Sequence, residues 1–176
     1  MKQVTLIVMA AFALALTPVA SAANDTKSIT IQVSIAAEAS IVLPGTTSLT
    51  AGATAFSDFT GSTTFTYKVR TSKTGGSGAV TFQIAEFSPS GGPRIAGGPA
   101  ADNLKYSSST TGVGSAQSTA QSVNSTTTNY TVLSFAADAK SSGSGDTATV
   151  NWTLPNDPQY STGNYSATAT FTISAL

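Results

Sequence analysis

Hydrophobic and polar residues alternate with a period of two along most of this chain. Side chains of a β-strand point alternately to its two faces, so the pattern predicts strands with one apolar edge and one wet edge. The clearest case is Ser28–Ile35, S-I-T-I-Q-V-S-I. Ile29, Ile31, Val33 and Ile35 share one parity, and Thr30, Gln32 and Ser34 share the other. Full burial of these four side chains contributes about 1.5–3 kcal/mol each, and ordering the backbone costs about 1–2 kcal/mol per residue. The two sums are comparable, so this strand is stable only when it joins a sheet. Whether that sheet lies in its own domain or a neighbour's is the central functional question.

Further strands follow in order. Ala39–Leu43 is closed by Pro44-Gly45, a turn signal, and a short piece near Ser48–Ala51 pairs weakly. Ser62–Arg70 sets Phe65, Tyr67 and Val69 against Thr64, Thr66 and Lys68. After the Gly-rich stretch Gly75–Gly78, the segment Ala79–Phe87 sets Val80, Phe82 and Ile84 against Thr81 and Gln83. Those two strands read as a hairpin. Ser88–Ala100 reads as loop and Leu104–Ser107 as a short strand. The Ser/Thr-rich tract Ser108–Asn129 reads either as a short irregular strand pair or as an exposed functional loop, and one weak strand is expected inside it. Tyr130–Ala137, Asp146–Leu154 and Gly163–Ile173 are strong strands, with Pro155-Asn156-Asp157-Pro158 ending the second of them. Trp152 falls on the inward parity and is expected in the core. Repeated short strands, rich in turns and without a helical period, predict an all-β fold. We expect an antiparallel, immunoglobulin-like β-sandwich of about seven to nine strands.

Residues 1–22 read as a secretory signal peptide. Lys2 precedes an apolar run from Val4 to Leu16, and Ala20-Ser21-Ala22 fits a signal-peptidase site. The run is short for a membrane span. Cleavage leaves residues 23–176 as a single domain beginning with the strand at 28–36, with no membrane span after the leader is removed. The expected route is secretion, through a periplasm and then to the cell surface or the medium.

Composition narrows the chemistry. The chain has no Cys and no His, and only 9% of its residues are charged. Without Cys there is no disulfide staple, so stability must come from pairing and packing. Without His there is no Ser-His-Asp or Cys-His site, and without Cys or His the usual zinc ligands are missing. No phosphate-binding or calcium-loop motif occurs. With Lys2 gone, seven basic residues face eight acidic ones, so nothing attracts a nucleic acid. We therefore expect no catalytic residue, no cofactor and no metal site. An enzyme would need convergence among Asp58, Glu86, Asp102, Asp138, Asp146 and Asp157.

The Ser28–Ile35 strand behind a signal peptide resembles the donor strand of a chaperone–usher pilin. The closing G-N-Y-S-A-T-A-T-F of Gly163–Phe171 resembles the last strand of the cysteine-free fimbrial major subunits of the colonisation-factor type. Its G-x-Y-S pattern is also similar to spore-coat-U-like secreted β-domains. The resemblance covers the first and last fifteen or so mature residues, and the chain lacks the Cys pair and penultimate Tyr of the commoner pilins. It implies an incomplete sandwich whose groove is filled first by a periplasmic chaperone at an usher. The groove is then filled by Ile29, Ile31, Val33 and Ile35 of the next subunit, giving self-association into a fibre. The expected function is thus a secreted structural subunit of a bacterial surface fibre or coat. The alternative is a self-contained secreted β-sandwich that binds a glycan or protein partner.

Overall fold

The computed structural model describes residues 26–96 and 103–176. The signal peptide expected at 1–22 lies outside the described residues. Contacts divide the chain into two units, one ending at Val33 and one running from Ser34 to Leu176. In the described part of the first unit, residues 26–33 belong to no strand.

The second unit is all-β among its described residues. Its strands are β1 (Glu38–Val42), β2 (Thr50–Ala51), β3 (Phe59–Arg70), β4 (Gly78–Ile84) and β5 (Leu104–Thr110). β6 (Ser115–Ala116), β7 (Gln121–Val123), β8 (Tyr130–Phe135), β9 (Asp146–Leu154) and β10 (Ala169–Ala175) complete the set. They form two antiparallel sheets. One has the order β1-β3-β9-β5-β7, with β2 also on β3, and the other has the order β10-β4-β8-β6. This is the β-sandwich that the alternation predicts. Ten segments replace the expected seven to nine because β2 and β6 are two-residue pairings with no periodic signature.

The inward rows are those of the sequence. Phe65, Tyr67 and Val69 of β3, Val80, Phe82 and Ile84 of β4, and Ala148, Val150, Trp152 and Leu154 of β9 are all buried. Phe82 is the hub. Its ring centroid lies 4.9 Å from Tyr106, 5.0 Å from Trp152, 5.4 Å from Tyr130 and 5.6 Å from Phe171. In β8 the consecutive residues Val132 and Leu133 are both fully buried. Leu133 pairs with Val80 and Thr131 with the next residue, Thr81, so Val132 is the extra residue of a β-bulge, which locally breaks the period of two.

The hairpin expected between Ser62–Arg70 and Ala79–Phe87 is not formed. β3 pairs with β9 over nine residues, from Phe59↔Leu154 to Tyr67↔Asp146, while β4 sits in the other sheet between β10 and β8. The intervening residues 71–77 are too many to impose a tight-turn register, and they cross between the sheets instead. Thr71 fixes the crossing. It is buried, its hydroxyl donates to the Ala136 carbonyl (2.7 Å), and it accepts from the Ala139 amide (2.9 Å).

The tract 108–129 is shaped by backbone pairing. Two short strands lie in it, the irregular pair that is one of the two readings, in place of the single weak strand favoured, and Val123 is fully buried. Ser108 takes an inward position in β5 because its hydroxyl is satisfied there. It donates to the Val132 carbonyl (2.7 Å) and accepts from the Gln117 amide (2.9 Å). The final strand starts later than its alternation suggests, at Ala169 in place of Gly163. Before it, only Ser166 makes a bridge, to Ser88.

Candidate functional site

One flank of the sandwich is less finished than the rest. β10 is the edge of its sheet. Its core-facing residues Ala169, Phe171, Ile173 and Ala175 are only half-buried. Facing them across the seam, Ala39 and Ile41 of β1, together with Leu49 and Phe59, are also half-buried. On interior strands the same parity is closed, as at Val80 and Val150.

The backbone of β10 is open on that side too. Thr168 accepts from the Ala85 amide, and Leu176 donates to the Ser77 carbonyl, so even-numbered residues turn toward β4. In an antiparallel strand the backbone groups alternate sides residue by residue. The N–H and C=O groups of Ala169, Phe171, Ile173 and Ala175 therefore point to the free edge. This is a template for one more strand.

The opposite rim of the seam is interrupted. β1 covers β3 from Thr66 to Arg70, and β2 covers it at Phe59 and Thr60. Between them the 43–49 connection, opened by Pro44-Gly45, pairs with nothing on the ladder, and among the described residues Gly61–Phe65 has no strand on that side. The connection crosses close to β3. A Cβ at Gly61 would stand 2.5 Å from the Ser48 carbonyl oxygen, so only glycine permits the approach. Thr47 anchors the connection through a 2.7 Å bond to the Thr63 hydroxyl, which in turn accepts from the Trp152 indole N–H at 2.8 Å. Trp152 is thus a core residue, as its parity predicts. Its edge reaches an open cleft of about 720 Å³ at this end of the seam, lined also by Leu43, Leu49, Phe59, Tyr165 and Phe171.

The four residues singled out as a donor strand have the complementary property. Ile29, Ile31, Val33 and Ile35 are 87%, 89%, 82% and 66% exposed, and residues 26–37 belong to no ladder. An exposed row of four large aliphatic side chains is unusual in a protein that buries its other inward rows, and such surfaces mark sites of interaction. The alternation of the sequence located this row. It did not reveal the seam, because β10 reads like any other half-buried strand. Nor did it reveal Arg70, whose Nε donates to the Ala36 carbonyl (2.8 Å) and whose Nη2 pairs with Glu38 (3.1 Å).

Of the described acidic residues that an enzyme would use, Asp58 is exposed and the others are engaged in local structure. Glu86 accepts from the amides of Ile95 and Ala96, and Asp157 from the amide of Gln159. Asp138 pairs with Lys140 at 2.7 Å. Asp102 lies outside the described residues. No group of three or more His, Cys, Asp or Glu side chains able to hold a metal occurs among the described residues. No helix among them is long and apolar enough to cross a membrane.

Asp146 joins two loops by accepting from the amides of Val113 (2.8 Å) and Ser142 (3.0 Å). Burial acts to raise its pKa. The bonds from Val113 and Ser142 together outweigh burial and hold the carboxyl below the usual carboxylate range. Its contribution is therefore full above the unfolded value near 4 and is lost as pH falls through the lower folded value. Asp146→Ala should cost about 1–3 kcal/mol at neutral pH. The difference from the parent, read from urea midpoints, should narrow below about pH 4. A difference that stays constant down to pH 2 would count against the assignment.

No family model matches the chain, and no curated protein matches it.

Proposed function

We propose that the protein is a secreted structural subunit of a surface fibre or coat, assembled by β-strand addition between copies. The observation that carries this reading is a match within one chain. An exposed seven-residue segment, Ile29–Ile35, presents four apolar side chains at alternate positions. An open edge strand of seven residues, β10, has four half-buried inward side chains beneath its free backbone groups. Added to the β10 edge, the segment gains main-chain hydrogen bonds, while Ile29, Ile31, Val33 and Ile35 cover the seam. One copy gives its segment and receives another's. The contact is heterologous, and its repetition yields an open filament. A periplasmic chaperone holding the seam until an usher exchanges it for the next subunit fits the same edge. The immunoglobulin-like character of the sandwich belongs to this proposal as well. Low charge and Ser/Thr-rich outer rows suit a static, densely packed assembly.

The test is the size and thermal stability of the chain from Ala23, with and without residues 23–36. The full chain should form ladders that survive mild denaturant. The truncated chain should be a monomer that a free Ile29–Ile35 peptide stabilises. A full chain that stays monomeric at high concentration, with a truncated form that takes up no peptide, would overturn the proposal.

A further inference from the structure

The open cleft at the end of the seam reaches past the edge strand itself. Its lining runs along residues 163–168, before β10 begins at Ala169. A seven-residue segment laid in full register along the seven residues of β10 ends at Ala169 and leaves that lip uncovered. Strand addition therefore does not account for this part of the cleft.

The floor of the cleft is apolar. Ile84, Leu104, Trp152 and Leu154 are buried beneath it, and Phe59 and Phe171 are half-buried along it. Its two lips are polar. On one, the 43–49 connection carries the hydroxyls of Thr46 and Ser48, both exposed and without a partner among the described residues. On the other, Asn164 is exposed, and its side-chain amide also lacks a partner among them. The backbone adds to this second lip. Ser166 exchanges both its bonds with Ser88, and Thr168 accepts from the Ala85 amide. Backbone groups alternate sides along an extended segment, so the amide and carbonyl of Ala167 turn away from β4 toward the open side. Tyr165 is held in place there. Its hydroxyl donates to the Ser161 carbonyl (2.7 Å), and a Cβ at Gly92 would stand 2.4 Å from its ring.

No charged side chain among the described residues lines the cleft. That restricts what it can hold. A charged ligand would lose its hydration over the apolar floor with no opposite charge to meet it. A wholly apolar ligand would cover the hydroxyl and amide groups of the lips without bonding them, which is also costly. A neutral polyhydroxylated ring meets both demands. Its C–H face packs on the floor, and its hydroxyls donate to and accept from those of the lips. The volume of about 720 Å³ lies within the range of about 300–1,000 Å³ for small-molecule sites, which combine an apolar lining with a few convergent polar groups.

We propose that the cleft between residues 43–49 and 163–168 binds an uncharged saccharide unit, a neutral hexose or N-acetylhexosamine of a glycan. Ser48 and Asn164 hold its hydroxyls from opposite lips. The inference does not rest on strand addition, because both lips and the floor belong to one chain.

The chain provides its own reporter. Trp152 is the single tryptophan, and its indole is joined through Thr63 to Thr47 on the first lip. The methyl glycosides of glucose, galactose and N-acetylglucosamine are titrated into the chain from Ala23 while Trp152 emission is followed. At least one of them should give a saturable shift, and glucuronate and glucosamine, similar in size but charged, should give none. Ser48→Ala and Asn164→Ala should each weaken binding about tenfold, the scale of one lost hydrogen bond, with Tm unchanged. The shift should persist when the Ile29–Ile35 peptide is present at saturation. No saturable shift with any of the three glycosides up to about 50 mM, where a ligand of millimolar Kd is mostly bound, would overturn the inference. So would equal binding of the charged sugars, parent-like binding by both variants, or loss of the shift in the peptide complex, which would give the whole cleft to the strand. A chain that binds a glycoside but takes up no peptide would overturn the strand-addition reading alone.

Discussion

Phe82→Ala should lower the stability of the domain by about 3–5 kcal/mol, the range for removing a buried aromatic ring. Phe82 has no exposed surface, and its ring touches both sheets at once. Tyr106 and Trp152 belong to one sheet, and Tyr130 and Phe171 to the other. Two of these contacts are edge-on, a favoured aromatic geometry. Collapse around the gap is limited, because on the same row Val80 is fixed by pairing on both sides of β4 and Ile84 by pairing with β10. In a chain of this size each kcal/mol moves Tm by about 2–4 °C, so a fall of about 6–20 °C is expected. Urea unfolding at constant slope measures the same loss. A cost below about 1 kcal/mol would mean that Phe82 does not hold the sheets together.

Ile31→Asp should abolish assembly and leave the isolated domain untouched. Ile31 is the most exposed large aliphatic residue described, at 89%. Its replacement removes nothing from the core, and the unfolding of a monomer should shift by no more than about 0.5 kcal/mol. In a neighbour's seam the situation reverses. The exchange forfeits about 1.5–3 kcal/mol of burial and adds the cost of an unpaired carboxylate among apolar groups. A total above about 4 kcal/mol weakens each junction about a thousandfold or more. Sizing at matched concentration reads the first half of this expectation, and thermal melting of the monomer reads the second. Ladders as long and as stable as the parent's would refute strand addition at this row. A lost monomer transition would place Ile31 in its own core.

The acid limb of stability at Asp146 is a smaller effect, and it separates from assembly cleanly. Asp146 links the turn at Val113 to the turn at Ser142, away from the residues that line the cleft beside β10. A variant there should therefore still take up the Ile29–Ile35 peptide.

Local alternation along the chain was enough to dictate the class of the fold and most of its inward rows. Alternation is a local property, and the period of two survives whatever sheet a strand joins. β9 was legible to the residue, and Phe65, Val80, Phe82 and Trp152 fell on their buried parity. The same logic exposed the Ile29–Ile35 row as apolar on one edge. Where local pattern was weak, reading failed for identifiable reasons. Val132 and Leu133 break the period through a bulge. Ser108 is a buried hydroxyl satisfied from a distance by Val132. The pairings of β2 and β6 are too short to leave a pattern. Sheet membership was decided only in three dimensions. β3 could have turned back on β4, but nine residues of pairing with β9 and the buried bonds of Thr71 send the chain across to the other sheet. The seam is likewise a tertiary fact. The residues of β10 are ordinary strand residues, and only the lack of a strand beyond them among the described residues, with β1 and β2 interrupted opposite, leaves them as an open edge. Alternation states which face of a strand is apolar, and pairing over long sequence separations decides what that face meets.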